Sequence, residues 1–221
     1  MSFRLPLFPL GTVLLPGLVL PLHVFEERYR RLVADLLALP EDERRFGVVA
    51  IRSGHEVGAD AVRALHDIGC VAAVRSVEPH EDGRYDLMTT GTQRFRLRSV
   101  DDALPYLTGE VDPLPDLPGE RAEAAAAAVP AAFTAYTTAL ADAGGDRIEV
   151  PELPADPLVL GYLIAATLAL DLDERQALLA EPDGASRLRT ELRLLRRETA
   201  LLEALSCVPA PGLGAGPASP N

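Results

Sequence analysis

The side chains that could hold a metal or act as a nucleophile are few: His23, His55, His66, His80, Cys70 and Cys207. His23 and Glu26 have helical i, i+3 spacing, and His80 adjoins Glu81 and Asp82 in a turn-like stretch. A zinc site needs several converging ligands, usually announced by close Cys or His pairs, and none is present, so no metal is expected. Cys70 lies in an apolar run and reads as a small buried hydrophobe. Cys207 adjoins a Pro/Gly-rich tail, and nothing marks it as a nucleophile. There is no Gly-x-Ser-x-Gly elbow. Gly91, in "TTGTQRF", opens no phosphate-binding strand–turn–helix unit and reads as a turn between strands. The chain contains no lysine, all 21 basic residues being arginine. That removes a P-loop lysine, a Schiff-base lysine and a Ser–Lys dyad from this chain, and no enzyme activity or cofactor is expected.

One arginine cluster invites a binding reading. In "RFRLRSV", Phe95 and Leu97 alternate with Arg94, Arg96 and Arg98, so a strand would set the three arginines on one face. They could meet phosphates, or form a solvated face paired with nearby acids. The net charge of −12 favours the second reading, and nucleic acid is not an expected partner. Two distant cysteines and no credible export signal lead to a cytoplasmic expectation.

The elements that must position these residues begin with "LPLFPLGTVLLPGLVLPLHVF". It is apolar enough to suggest a membrane span, but Pro6, Pro9, Pro16 and Pro21 would each cost about 3 kcal/mol inside a helix. The pattern predicts short extended segments over Leu5–Leu7, Thr12–Leu15 and Leu18–Leu20, and no membrane association. Phe25, Tyr29, Leu32, Val33, Leu36 and Leu37 recur at helical spacing, predicting an amphipathic helix that ends before Pro40. Strand patterns then run from Phe46 to Pro113, with a hairpin at Asp82-Gly83.

"DPLPDLPG", residues 112–119, reads as a connector, and the pattern beyond it is helical. An alanine-rich segment from Glu120 toward Ala143 is kinked or restarted at Pro130. Asp156-Pro157 caps a helix reaching about Leu170, Asp173 a short one through Ala180, and Asp183 a long one to about Leu205. The boundaries expected are 1–115 for the sheet, 116–207 for the helices and 208–221 for a disordered tail.

"LPLFPLGTVLLPGLVLPLHVFEERYRRLV", "IGCVAAVRSVEPHEDGRYDLMTTGTQRFRL" and "LDERQALLAEPDGASRLRTELRLLRRE" together resemble the N-terminal, substrate-binding domain of Lon proteases. The resemblance covers roughly residues 3–206. It implies an α+β fold: a PUA-like, mostly antiparallel β pseudo-barrel with one inserted helix, followed by a C-terminal helical bundle. It also implies a free-standing form without the ATPase and protease domains, recognising unfolded polypeptide or a protein partner. The alternative is an adaptor docking one folded partner. On the polypeptide-binding reading the lining candidates near the barrel–bundle junction are Phe8, Leu15, Pro16, His23, Arg28 and Tyr106. Oligomeric state is not legible, nor is which apolar residues near Pro16 are buried.

Overall fold

The computed structural model describes residues 2–54, 62–144 and 152–206. The tail and Cys207 lie outside them, as does His55. Strand β1 (Phe3–Leu10) is followed by β2 (Val19–Val24), helix α1 (Glu27–Leu37), β3 (Arg45–Gly54), β4 (Val62–Leu65), β5 (Ile68–Pro79), β6 (Tyr85–Asp101) and β7 (Thr108–Leu114). Then come α2 (Ala122–Gly144), α3 (Pro157–Thr167), α4 (Leu172–Ala180) and α5 (Gly184–Ser206). The class is α+β, with a mostly antiparallel sheet and helices concentrated in the second half.

The prolines of the opening stretch are accommodated by a change of partner along β1. Residues 3–6 pair antiparallel with β7, and residues 7–10 pair parallel with β3. Pro6 and Pro9 therefore each lie in one ladder only, and a strand tolerates proline where its missing N–H meets no partner. The same change of partner closes the sheet on itself in the order β1-β7-β6-β5-β3, back to β1. Both faces of β1 are buried. Leu5 and Leu7 meet Phe95, Val49 and Val111, while Phe8 and Leu10 meet α1 through Tyr29, Leu32, Val33 and Leu36. This explains a near-continuous apolar run.

Several expectations change. Thr12–Leu15 is not a strand but part of the loop between β1 and β2. Phe25 precedes α1 and is 51% exposed, so it lies off the buried stripe. The Asp82-Gly83 hairpin forms, with Gly83 at φ +80° and its N–H donating to His80 O at 2.9 Å. Gly91 makes no turn, because β6 runs unbroken for 17 residues. Instead, a Cβ at Gly91 would lie 2.3 Å from the carbonyl oxygen of Leu15. The loop is stitched there by Gly17 N–H to Gly91 O and Gly91 N–H to Leu18 O, each 2.8 Å. Pro130 lies within a single α2, and the cap of α4 is Asp171, not Asp173, accepting from Glu174 N–H at 2.8 Å. Asp156 and Asp183 cap α3 and α5 as their sequence positions suggest.

Helices α2, α3 and α5 enclose a second core of Val129, Phe133, Tyr136, Leu160, Ile164, Leu188, Leu192 and Leu195. By length and composition, α2 alone among the described helices could cross a membrane. Its apolarity is mostly alanine, however, and its large side chains are spent in this core. A third cluster joins sheet to helices: Val13, Leu15, Ala50 and Ile68 pack on Tyr162, Ala165, Leu178 and Leu179.

The same junction holds a buried ionic network. Arg94 is 2% exposed, so the expected three-arginine surface face is corrected at this position. It leaves the sheet surface because the C-terminal end of α4 covers it. One Nη1 donates to Leu179 O at 2.8 Å and Glu181 O at 2.6 Å, and Nε lies 2.8 Å from Asp116 Oδ1. Arg187, fully buried on α5, donates to Leu178 O at 3.1 Å and lies over the Tyr162 ring at 4.0 Å. Two guanidiniums thus satisfy carbonyls that a helix terminus leaves open and that favour positive charge. Asp116 balances them and accepts from Tyr162 OH at 2.7 Å. Removing one partner of such a buried pair strands the other. Arg94→Ala is expected to lower unfolding stability by about 3–5 kcal/mol, read by denaturant melts.

Glu191, one turn beyond Arg187, is fully buried, with both carboxylate oxygens lacking a hydrogen-bond partner among the described residues. Burial pushes its pKa well above the usual carboxylate range, against the lowering influence of Arg187. The folded state therefore keeps a proton that the unfolded chain releases above about pH 4.3, and stability falls as pH rises from there toward the folded pKa. Glu191→Gln should raise the melting temperature at pH 8, with the gain vanishing toward pH 4. A gain independent of pH would contradict this protonation difference.

Candidate functional site

The segment Pro16–Phe25 leaves apolar side chains uncovered by the core, Val19 and Phe25 among them. Beyond the stitched loop, β2 alternates strictly: Leu20 and Leu22 turn toward the core, while Val19, Pro21 and His23 face outward. Pairing with β6 sets Pro21 opposite Met88, Val19 opposite Thr90 and His23 opposite Asp86. Val19 is 61% exposed and Met88 41%, and Phe25 continues the surface at the end of the strand. Among the described residues, strand β2 pairs with β6 alone, which leaves its other edge without a strand partner there.

At the other end of the segment, Pro16, Gly17 and Leu18 line a groove of about 380 Å³ against the helical half. Leu158, Val159 and Leu163 of α3 form its opposite wall, and Asp116, Asp156 and Tyr162 supply its polar atoms. Val159 is 54% exposed, although it occupies a helix whose other residues are mostly buried. Groove and outward strand face therefore follow one another along the chain.

The six residues picked from sequence do not converge on one site. Pro16 lines the junction groove. Leu15, one residue earlier, has no exposed surface and belongs to the core that joins the two halves. Phe8 is 6% exposed and stacks on Tyr29, with centroids 4.1 Å apart. Its edge and His23 border a small cavity of about 180 Å³ beside β2. Arg28 and Tyr106 line a separate, charged cavity of about 840 Å³ between α1 and the β6–β7 loop. There, Arg28 pairs with Glu26 at 3.1 Å and lies over the Tyr29 ring at 4.5 Å. Tyr106 OH donates to Asp35 at 2.9 Å. The residues missed, Val19, Met88 and Val159, are ordinary apolar positions until the strand register and helix packing expose them. Strict alternation in "VLPLHV" was the available signal for Val19.

The chemistry of these side chains is that of binding. Burial pushes the Cys70 thiol up to about 12, so it offers no thiolate at neutral pH. Burial, together with Asp35, likewise pushes the Tyr106 phenol up to about 12. Of the arginine stripe, Arg98 pairs with Asp112 at 2.5 Å and Arg96 remains on the surface. His23 and His80 flank Asp86, at 2.6 and 2.7 Å respectively, and their hydrogen bonds hold its carboxyl below the usual range.

Comparison with known proteins now becomes specific. A family profile described as the ATP-dependent protease La (LON) substrate-binding domain matches residues 4–197. Lon protease 2 of Myxococcus xanthus is 31% identical over 212 residues, and Lon protease 2 of Syntrophobacter fumaroxidans 29% over 203. Each match covers 90% of this chain but only 24% and 25% of those proteins, so the chain spans about a quarter of their length. The crystal structure of a Lon N-terminal domain protein from Xanthomonas campestris superposes with a TM-score of 0.59 at 28% identity. It covers 86% of this chain and 98% of that one. The N-terminal domain of a Mycobacterium avium complex Lon protease shares the fold, with a TM-score of 0.60 at 17% identity over 88% of this chain and 98% of its own. The portion matched is the substrate-binding domain, not the ATPase or protease portion, and the chain belongs to the Lon substrate-binding domain family.

Proposed function

We propose that this chain is a non-catalytic module that binds unfolded polypeptide segments, with the outward face of β2–β6 and the adjoining junction groove as its contact surface. The observation that carries the reading is the exposure of Val19 and Met88 on the β2–β6 face, with Phe25 at its end and Val159 in the adjoining groove. Such exposed apolar surface, rimmed by polar groups, suits partner contact. The open edge of β2 adds backbone groups that an extended chain can engage. Thr90, Asp86 and His23 border the apolar face and can hydrogen-bond a bound backbone without setting a sequence requirement.

The closed sheet is read as a PUA-like pseudo-barrel and the helical half as a bundle that supplies one groove wall. Two cysteines, one of them buried, suit a reducing cytoplasm. The phosphate-binding reading of the arginine stripe loses support, because Arg94 is committed to the interior. Family membership favours substrate polypeptide over a single docking partner.

A permanently unfolded casein-like chain is the direct probe, titrated while circular dichroism reports the fold. Saturable binding is expected, weakened at least about tenfold in a Val19→Asp/Met88→Asp variant, as for central contacts of an interface. Both positions are exposed, so melting temperature should stay close to that of the parent. Absence of saturable binding by folded protein would sink the proposal. Indifference to the double variant would remove this face from it, and tight binding of only one folded partner would favour the adaptor alternative.

A further inference from the structure

Two imidazoles and a carboxylate converge where the β2–β6 pairing ends. His23 is the last outward position of β2, and Asp86 lies directly across from it on β6, 63 residues away in sequence. His80 comes from the β5–β6 turn. His23 Nδ1 is 2.6 Å from one oxygen of Asp86, and His80 Nε2 is 2.7 Å from the other. One donor atom from each residue lies within 4.8 Å of the other two.

Neutral imidazole and carboxylate are the donor set that zinc and its neighbours in the first transition row prefer. With metal–ligand bonds of about 2.0–2.2 Å, tetrahedral donor atoms stand roughly 3.3 Å apart. The two imidazole–carboxylate contacts would open by about 0.6–0.7 Å toward that spacing, and the other donor spacings, all within 4.8 Å, would close toward it, on partly exposed side chains. Register supplies a further carboxylate: Glu78 of β5 pairs with Asp86 from the opposite side, so both stand on the same sheet face. Arg84 is the opposing charge, with Nη1 3.3 Å from His23 Nε2. Its Nε is held by Asp82 at 2.6 Å on the exposed turn, so the guanidinium has a carboxylate to retain as His23 takes a metal.

We propose that His23, His80 and Asp86 form a surface site for a divalent transition metal of the zinc class, leaving coordination positions open to water. The hydrogen-bonded His–Asp–His arrangement is then the metal-free form of the site. This inference does not rest on the polypeptide-binding reading, although His23 and Asp86 also border that face, and zinc uptake is read without any polypeptide present.

Chelator-treated protein titrated with zinc alone should show saturable uptake by calorimetry, and cobalt should develop visible absorption bands. In long-range proton–nitrogen spectra, the His23 and His80 rings should shift with zinc while His66 does not. His23→Ala and His80→Ala should each weaken zinc binding at least about tenfold, as loss of a direct ligand exceeds the 10–100-fold typical of a supporting group. Partial exposure of both side chains makes loss of fold a minor effect, checked by thermal melts. Featureless zinc titration of folded protein overturns the proposal, as does zinc uptake undiminished in the His23→Ala/His80→Ala variant.

Discussion

A single carboxylate, Asp116, sits between two guanidinium groups that reach it from opposite halves of the molecule. Arg94 comes from the longest strand of the sheet and Arg187 from α5 of the helical half. The open carbonyls at the end of α4 accept from Arg94 Nη1, at Leu179 and Glu181, and from Arg187 Nε, at Leu178, while the rest of the Arg187 guanidinium lies over the Tyr162 ring and 3.8 Å from Asp116. The arrangement is mutual, because those carbonyls would otherwise be buried without donors. A connector that looks like a spacer in sequence is thereby fixed in place, and the orientation of sheet and helices becomes specific. Apolar packing of Leu15 and Ile68 against Tyr162 and Leu178 supplies the area, while the ionic network supplies the register.

The second constraint is the close approach of the β1–β2 loop to β6. Gly91 admits the Leu15 carbonyl where no side chain could fit, and two backbone hydrogen bonds lock the contact. From that point the chain enters β2 with a defined phase, because side-chain direction in a strand has period two. Phase decides which side chains reach solvent. A slip of one residue would bury Val19 and Pro21 and present Leu20 and Leu22 instead. The proposed contact surface is thus a consequence of how one glycine in β6 receives one carbonyl.

A substrate-binding domain of this kind has little need of perturbed acids, bases or nucleophiles. Its buried titratable groups, Cys70, Tyr106 and Glu191, are held in their protonated forms by desolvation. Its buried arginines are consumed in architecture. What faces solvent along Pro16–Phe25 is apolar surface with a polar border, which on the proposed reading suits chains that differ in sequence but share exposed hydrophobic residues and free backbone groups.

Local rules made much of this legible in the sequence alone. Prolines excluded a helical span, the 3.6-residue period gave α1 and α5, Asp156-Pro157 and Asp183 marked helix starts, and Asp82-Gly83 marked the hairpin. Each rests on forces acting within a few residues. The motifs of the opening stretch and of "EDGRYDLMTTGTQRF" also sufficed to suggest the family. Tertiary structure alone decided the long-range matters: that Gly91 lies within a strand, that Arg94 is interior while Arg98 is not, and that Leu15 is core while Pro16 lines a groove. It also brought His23 and His80 to one carboxylate, although no metal-like spacing links them. In each case, the outcome depends on which distant element lies against a residue, and pairing register carries that information while nearest-neighbour spacing does not.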